Sequence, residues 1–137
     1  MTDRIRRIDY FYVQIPDQPG EGVKLLGRLK EAGVNLLSMT AFPIEGGRAQ
    51  VDLVPEKPDR LVEAAHKAGV TLSAKKQAIL IQGKDRPGAA AEPLKKLADA
   101  RVNVTAANAA CGGEGRFGMI LWVKPKDLET AVKALGA

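Results

Sequence analysis

The chain carries one segment twice. Asp17-Gln18-Pro19-Gly20 returns as Asp85-Arg86-Pro87-Gly88, and Ala32-Gly33-Val34-Asn35 returns as Ala100-Arg101-Val102-Asn103, each pair 68 positions apart. At that offset Gln14, Leu26, Leu29, Ala41, Gly47, Arg48 and Leu53 meet their own residue type at Gln82, Leu94, Leu97, Ala109, Gly115, Arg116 and Leu121. About a third of positions 14–53 coincide without a gap, and a fixed period of this kind decides the architecture before any local reading does. The chain is two copies of one small unit, drawn here as residues 1–76 and 77–137.

Each copy reads as β-α-β-β-α-β. In copy one, Ile8 to Ile15 is rich in β-formers and reads as a strand. Pro16 to Gly20 is turn chemistry. Val23, Leu25, Leu26, Leu29 and Ala32 then recur at helical spacing, and Gly33 stops the helix. Asn35 to Pro43 is a second strand, Glu45-Gly46-Gly47-Arg48 a hairpin turn, and Ala49 to Val54 a third strand. Pro58 to Ala68 is a helix closed by Gly69, followed by a short fourth strand from Val70 to Ser73. Copy two repeats this as strand Gln77–Gly83, helix Glu92–Ala100, strand Asn103–Ala109, turn Gly112–Gly115, strand Phe117–Val123 and helix Asp127–Leu135. The fold class is therefore α+β: two ferredoxin-like βαββαβ units in tandem, with antiparallel sheets and helices on one face.

The offset slips to 67 near Lys124, and the chain reaches Ala137 where a fourth strand should begin. The second unit lacks its own last strand. A bare sheet edge invites unwanted pairing, so another segment is expected to cover it: the Met1 to Arg7 arm, the Thr71 to Lys76 strand, or a strand from a second chain. Almost no linker separates Ser73 from Gln77, and a nearly continuous strand is expected to join the sheets. Units of this size are marginal alone, so pairing with a second chain is expected.

Charge and composition exclude several classes. No run of 18 apolar residues occurs, so no helix is expected to span a membrane. The opening Met1-Thr2-Asp3-Arg4-Ile5-Arg6-Arg7 lacks a secretory apolar core, and Cys111 is the one cysteine; both readings point to the cytoplasm. The net charge is +5, but basic residues alternate with acids, which reads as a solvated surface without nucleic acid as partner. Arg116-Phe117-Gly118 faintly echoes an RNA-stacking strand, yet Ala49 to Val54 holds no aromatic. His66 has no second ligand residue nearby, so no metal is expected. Cys111 reads as a passive thiol. Trp122 and Tyr10-Phe11-Tyr12 read as core and interface aromatics. No catalytic signature is present, and no cofactor is expected.

The repeated Asp-x-Pro-Gly turns are the candidate sites. Pro19 and Pro87 fix φ before a helix, and Gly20 and Gly88 expose backbone N–H groups. Helix starts of this type suit a carboxylate. Asn35 and Asn103 offer an acceptor and two donors where the helix returns to the second strand.

This pattern resembles the ACT domain, a small regulatory module of amino-acid metabolism. The resemblance covers nearly the whole chain in two copies. It implies side-by-side pairing into an eight-stranded sheet, and small effectors, often amino acids, held at the ACT–ACT interface. It places the ligand contacts at Asp17, Gln18, Pro19, Gly20, Glu21, Gly22, Asn35 and Leu36, and at Asp85, Arg86, Pro87, Gly88, Ala89, Ala90, Asn103 and Val104. Copy one departs from the pattern at Glu21, where an apolar residue is usual and is delayed to Val23. Copy two departs at Ala89-Ala90-Ala91 and at Arg101. The implied function is a non-enzymatic regulatory homodimer acting on an enzyme partner in trans. The alternative is an assembly subunit that binds nothing small.

Overall fold

A computed structural model describes residues 3–137; Met1 and Thr2, the start of the arm named above, lie outside the described residues. The elements are β1 (Arg4–Pro16), α1 (Glu21–Glu31), β2 (Leu36–Ile44), β3 (Arg48–Pro55), α2 (Pro58–Ala68), β4 (Lys76–Lys84), α3 (Ala91–Asp99), β5 (Val104–Gly113), β6 (Arg116–Val123) and, after a 3-10 turn at Pro125–Asp127, α4 (Leu128–Leu135). The chain divides into an N-terminal unit, Asp9–Lys76, and a C-terminal unit made of the segment ending at Ile8 with Gln77–Ala137. Residues through Ile8 thus go with the second copy, although the sequence placed them with the first. The reason lies in β1, which begins four residues before the expected Ile8 and is shared out between the units.

In the N-terminal unit the strand order is β2-β3-β1. β1 and β3 run antiparallel with Phe11 opposite Leu53 and Val13 opposite Val51. These four side chains share a sheet face and pack against Leu25 and Leu29 of α1 and Leu61 and Ala64 of α2. Leu25 and Leu29 are four apart, so they lie on one helix stripe. Val23, counted into that stripe from the sequence, is 70% exposed and lies off it. The expected fourth strand, Val70 to Ser73, does not form a regular strand. Ser73 N donates to Tyr12 O at 2.9 Å, but Tyr12 N donates to Ser73 Oγ, also at 2.9 Å. A side-chain oxygen has taken the place of a backbone carbonyl, and the ladder stops there. Val70 and Leu72 still pack against the core.

The C-terminal unit repeats this plan in register. Ile79 faces Leu121 and Ile81 faces Met119 across β4 and β6, the counterparts of the Phe11–Leu53 and Val13–Val51 pairs. Its core joins these residues to Leu97 of α3 and Ala131, Val132 and Leu135 of α4. The sheet order is β1-β4-β6-β5, so the first residues of β1 stand beside β4 in the fourth-strand position of the unit. Of the three segments proposed to cover that edge, the arm does so. Ile5 packs against the C-terminal core, and Arg7 pairs with Glu129 of α4 at 2.9 Å. The latter pair is exposed and holds the arm weakly.

Two local details follow from the repeat. Val34 N bonds Leu29 O, and Val102 N bonds Leu97 O, both at 2.9 Å, closing α1 and α3 in the same way. This closure needs a left-handed residue before the valine. Gly33 supplies it at φ 73°, and Arg101 supplies it at φ 59°, so the residue change leaves the backbone unchanged. For a residue with a Cβ that conformation costs about 1–2 kcal/mol.

Gly83 of β4 marks the closest approach of the arm. A Cβ there would collide with the Asp3 carboxyl and come within 3.3 Å of Asp3 Cα. Replacing a strand glycine by alanine ordinarily stabilises by roughly 0.5–1 kcal/mol. Here Gly83→Ala is expected to destabilise by about 1–3 kcal/mol through overpacking. Chemical denaturation of Gly83→Ala, alone and with Asp3→Ala, checks this: the penalty should shrink when the Asp3 carboxyl is gone.

Candidate functional site

The two Asp-x-Pro-Gly turns are built alike. Asp17 N donates to Gly47 O at 2.9 Å, and Asp85 N donates to Gly115 O at 2.8 Å, so each turn is tied to the hairpin of its own unit. Gly20 (φ 90°) and Gly88 (φ 83°) adopt the left-handed conformation that a side chain resists. In copy one Asp17, Gln18, Pro19 and Gly20 are exposed, while Glu21 and Gly22 open α1 half-buried. The side chains of Asp17 and Gln18 make no hydrogen bond or ion pair among the described residues. Glu21 lies 3.4 Å from Lys24. In copy two Pro87 and Gly88 are exposed, but Ala89 is 3% exposed and belongs to the hydrophobic core. Ala90, half-buried, packs against the same core. The side chains of Ala89 and Ala90 are thus committed to packing.

The asparagines stand at the other ends of the helices. α1 has 11 residues, so about 16 Å of helix axis separates the first turn from its return. Asn35 Nδ2 donates to Glu56 Oε2 at 3.2 Å, and the Asn35 backbone carbonyl accepts from Glu56 N at 2.9 Å. It lines a small hollow with Gly33, Lys57 and Arg60. Asn103 is exposed and its side chain has no bond among the described residues. Leu36 and Val104 begin β2 and β5, half-buried, and pack against the cores. Within one unit, therefore, the fold does not bring turn and asparagine together.

Copy two adds a contact that the sequence did not reveal. Arg86 Nη1 and Nη2 donate to Asp3 Oδ1 and Oδ2, both at 3.1 Å, in a two-point pair. Nη1 also donates to Lys84 O at 2.7 Å and Nη2 to Glu92 Oε2 at 2.8 Å. The Asp3 side chain is only 11% exposed. The two carboxylates hold the guanidinium pKa above its ordinary value, the Asp3 hydrogen bond first. The arm has no counterpart in the other copy, so the repeat carried no signal for this pair. Copy one has Gln18 at the matching position.

Comparison with known proteins can be set beside this geometry. The family model of the ACT domain matches residues 78–137. The match spans 60 of the 137 residues, the length of the second copy. Among curated proteins no sequence matches the chain. Among solved structures, a protein from Bacteroides thetaiotaomicron superposes with a TM-score of 0.81 at 12% identity, covering 96% of this chain and 88% of its own. The ligand-free regulatory subunit of aspartate kinase from Thermus thermophilus gives a TM-score of 0.66 at 19% identity, covering 98% of this chain and 94% of that one. Escherichia coli aspartokinase III, in complex with aspartate and ADP, gives 0.53 at 14%, with 97% of this chain on 32% of that one. At these identities the likeness is one of fold.

The remaining reactive groups of the C-terminal unit are quiet. Cys111 on β5 is exposed, and its hydrogen bond to Asp85 raises the thiol pKa, which suppresses the nucleophilic thiolate. Phe117 is buried in the core, so it presents no ring for base stacking. No helix is long and apolar enough to cross a membrane, and no group of metal-ligating residues occurs among the described residues.

In the N-terminal unit Asp52 of β3 is the one buried carboxylate, 7% exposed. Gln50 Nε2 donates to its Oδ1 at 2.9 Å. Burial raises its pKa, while Gln50 and the charge of Lys76 pull it down. Tyr10 is raised by its own burial and then by Asp52. A carboxyl with a raised folded pKa binds its proton more tightly folded than unfolded. Its contribution to stability therefore grows as pH falls from the folded pKa toward the ordinary aspartate value, and is lost as pH rises. Asp52→Asn is expected to gain stability over the parent near neutral pH and to lose that advantage in acid. Melting curves across this range check the sign; an advantage that grows in acid contradicts the assignment.

Proposed function

We propose that the chain is a non-enzymatic regulatory module in which both copies are ACT units. It binds a small effector, most simply an amino acid, and acts on a partner enzyme in trans. The observation that carries this reading is the ACT-family match over residues 78–137. It is supported by the fold shared end to end with a protein described as the regulatory subunit of aspartate kinase. The exposed turn Asp17–Gly20 offers backbone donors to a carboxylate. Since Asn35 and Asn103 stand a helix away from the turns of their own copies, the effector site forms at a seam between ACT units of two paired chains. The functional state is thus a cytoplasmic homodimer, or a higher homo-oligomer. An effector regulates only by binding one assembly state better than another.

One observation favours the second reading, a structural subunit, for part of the molecule. In copy two Arg86 is already engaged by Asp3 and Glu92. Calorimetry with each of the twenty amino acids separates the readings, and silence from all of them favours assembly alone. Where an amino acid binds, Asn35→Ala and Asn103→Ala are expected each to weaken it by more than the roughly 1 kcal/mol of one net hydrogen bond. Unchanged affinity in both variants removes them from the site.

A further inference from the structure

The fold builds one groove twice, and the two versions carry opposite solutions to the same electrostatic problem. In each unit a groove lies between the start of the first helix and the segment in the fourth-strand position. The N-terminal version is about 400 Å³ and is lined by Glu21, Lys24 and Arg28 of α1, Arg48 of β3, and Val70 and Thr71. The C-terminal version is about 600 Å³ and is lined by Asp3 and Arg4 of the arm, Arg86, Glu92 and Lys96. Lys24 corresponds to Glu92, and Arg28 to Lys96, at the offset of the repeat.

In the C-terminal groove the chain supplies its own anions. The carboxylates of Asp3 and Glu92 both reach Arg86, at 3.1 and 2.8 Å. The N-terminal groove has neither. Its strand-side residues Val70 and Thr71 carry no acid, and lysine stands where the other copy has glutamate. Lys24, Arg28 and Arg48 face one acid, Glu21, which sits 3.4 Å from Lys24. Arg48 donates to Gln14 O at 3.1 Å and so is held in place, with its charge unmatched. Arg28 makes no hydrogen bond or ion pair among the described residues. Two positive charges are left over in a concave site of the size that small ligands occupy. Lys24 and Arg28 are four apart on one helix face, so both can reach one anion.

We infer that the N-terminal groove is a binding site for a small dicarboxylate, and that Asp3 and Glu92 are the built-in equivalent of that ligand in the C-terminal groove. The site shares Glu21 with the turn assigned to the effector seam but does not include Asn35. The second groove is the weaker site: Asp3 and Glu92 offset two of its three basic side chains, Arg4, Arg86 and Lys96, leaving a net charge of +1 against +2 in the first.

Two-dimensional amide NMR of the full chain, titrated with succinate and separately with inorganic phosphate, tests this. Succinate is expected to shift Lys24, Arg28 and Thr71 saturably, leaving Glu92 and Lys96 in place. Lys24→Glu, which copies the other groove, and Arg28→Ala should each weaken succinate about tenfold or more with spectra otherwise unchanged. Asn35→Ala should have no effect, which separates this site from the seam. Asp3→Asn should release Arg86 and strengthen binding in the second groove, with shifts at Arg86 and Lys96. Absence of saturable shifts at the first groove overturns the inference, as does equal affinity in Lys24→Glu and Arg28→Ala. Phosphate binding as tightly as succinate reduces the site to a general anion patch and overturns the dicarboxylate assignment.

Discussion

The C-terminal unit depends on a strand that comes from the far end of the sequence. Without it β4 would present a row of unpaired backbone groups, a free energy cost if buried and an aggregation template if exposed. The first residues of β1 occupy that place. Ile5 adds apolar surface to the core, and the Asp3–Arg86 pair fixes the end of the arm to the turn that opens α3. Gly83 permits the approach because no other residue leaves room for Asp3. The consequence for folding is that the C-terminal unit closes only when residues some 70 positions upstream arrive. Long-range closure of this kind carries a loop-entropy cost that local packing must offset.

Much of this was legible in the residues. The offset of 68 set the element order, and the structure repeats it down to paired hydrogen bonds such as Asp17 to Gly47 and Asp85 to Gly115. Which segment covers the β4 edge was not legible, since the arm has no partner in the other copy to be aligned with. Val70–Ser73 failed as a strand because Ser73 Oγ captured the Tyr12 amide, a side-chain event that periodicity does not register. Arg101 read as a departure from the family pattern, yet it adopts the left-handed conformation of Gly33; the surrounding hydrogen bonds overrule the residue's own preference.

The candidate site was legible in part. Both turns lie at helix starts as their residues required, and both glycines have positive φ. What sequence could not say is how differently two matched turns are used. Gln18 is free where Arg86 is bound by two carboxylates, and Lys24 stands where Glu92 reverses the charge. Duplication first produces two equal units. Divergence at a few positions around one groove is enough to give one copy built-in carboxylates at Arg86 and leave the other with more unmatched positive charge. The fold, kept in register by Phe11–Leu53 and Ile79–Leu121, tolerates this because those positions lie outside the cores.

The claim on which the rest stands is that the arm completes the sheet of the C-terminal unit. Native-state hydrogen exchange on a chain beginning at Asp9, compared with the full chain, tests it most directly. The account predicts that the β4 amides lose protection and that the core of the C-terminal unit exchanges faster, while Phe11, Val13 and Leu53 stay protected. Undiminished protection along β4 in the shortened chain would contradict it.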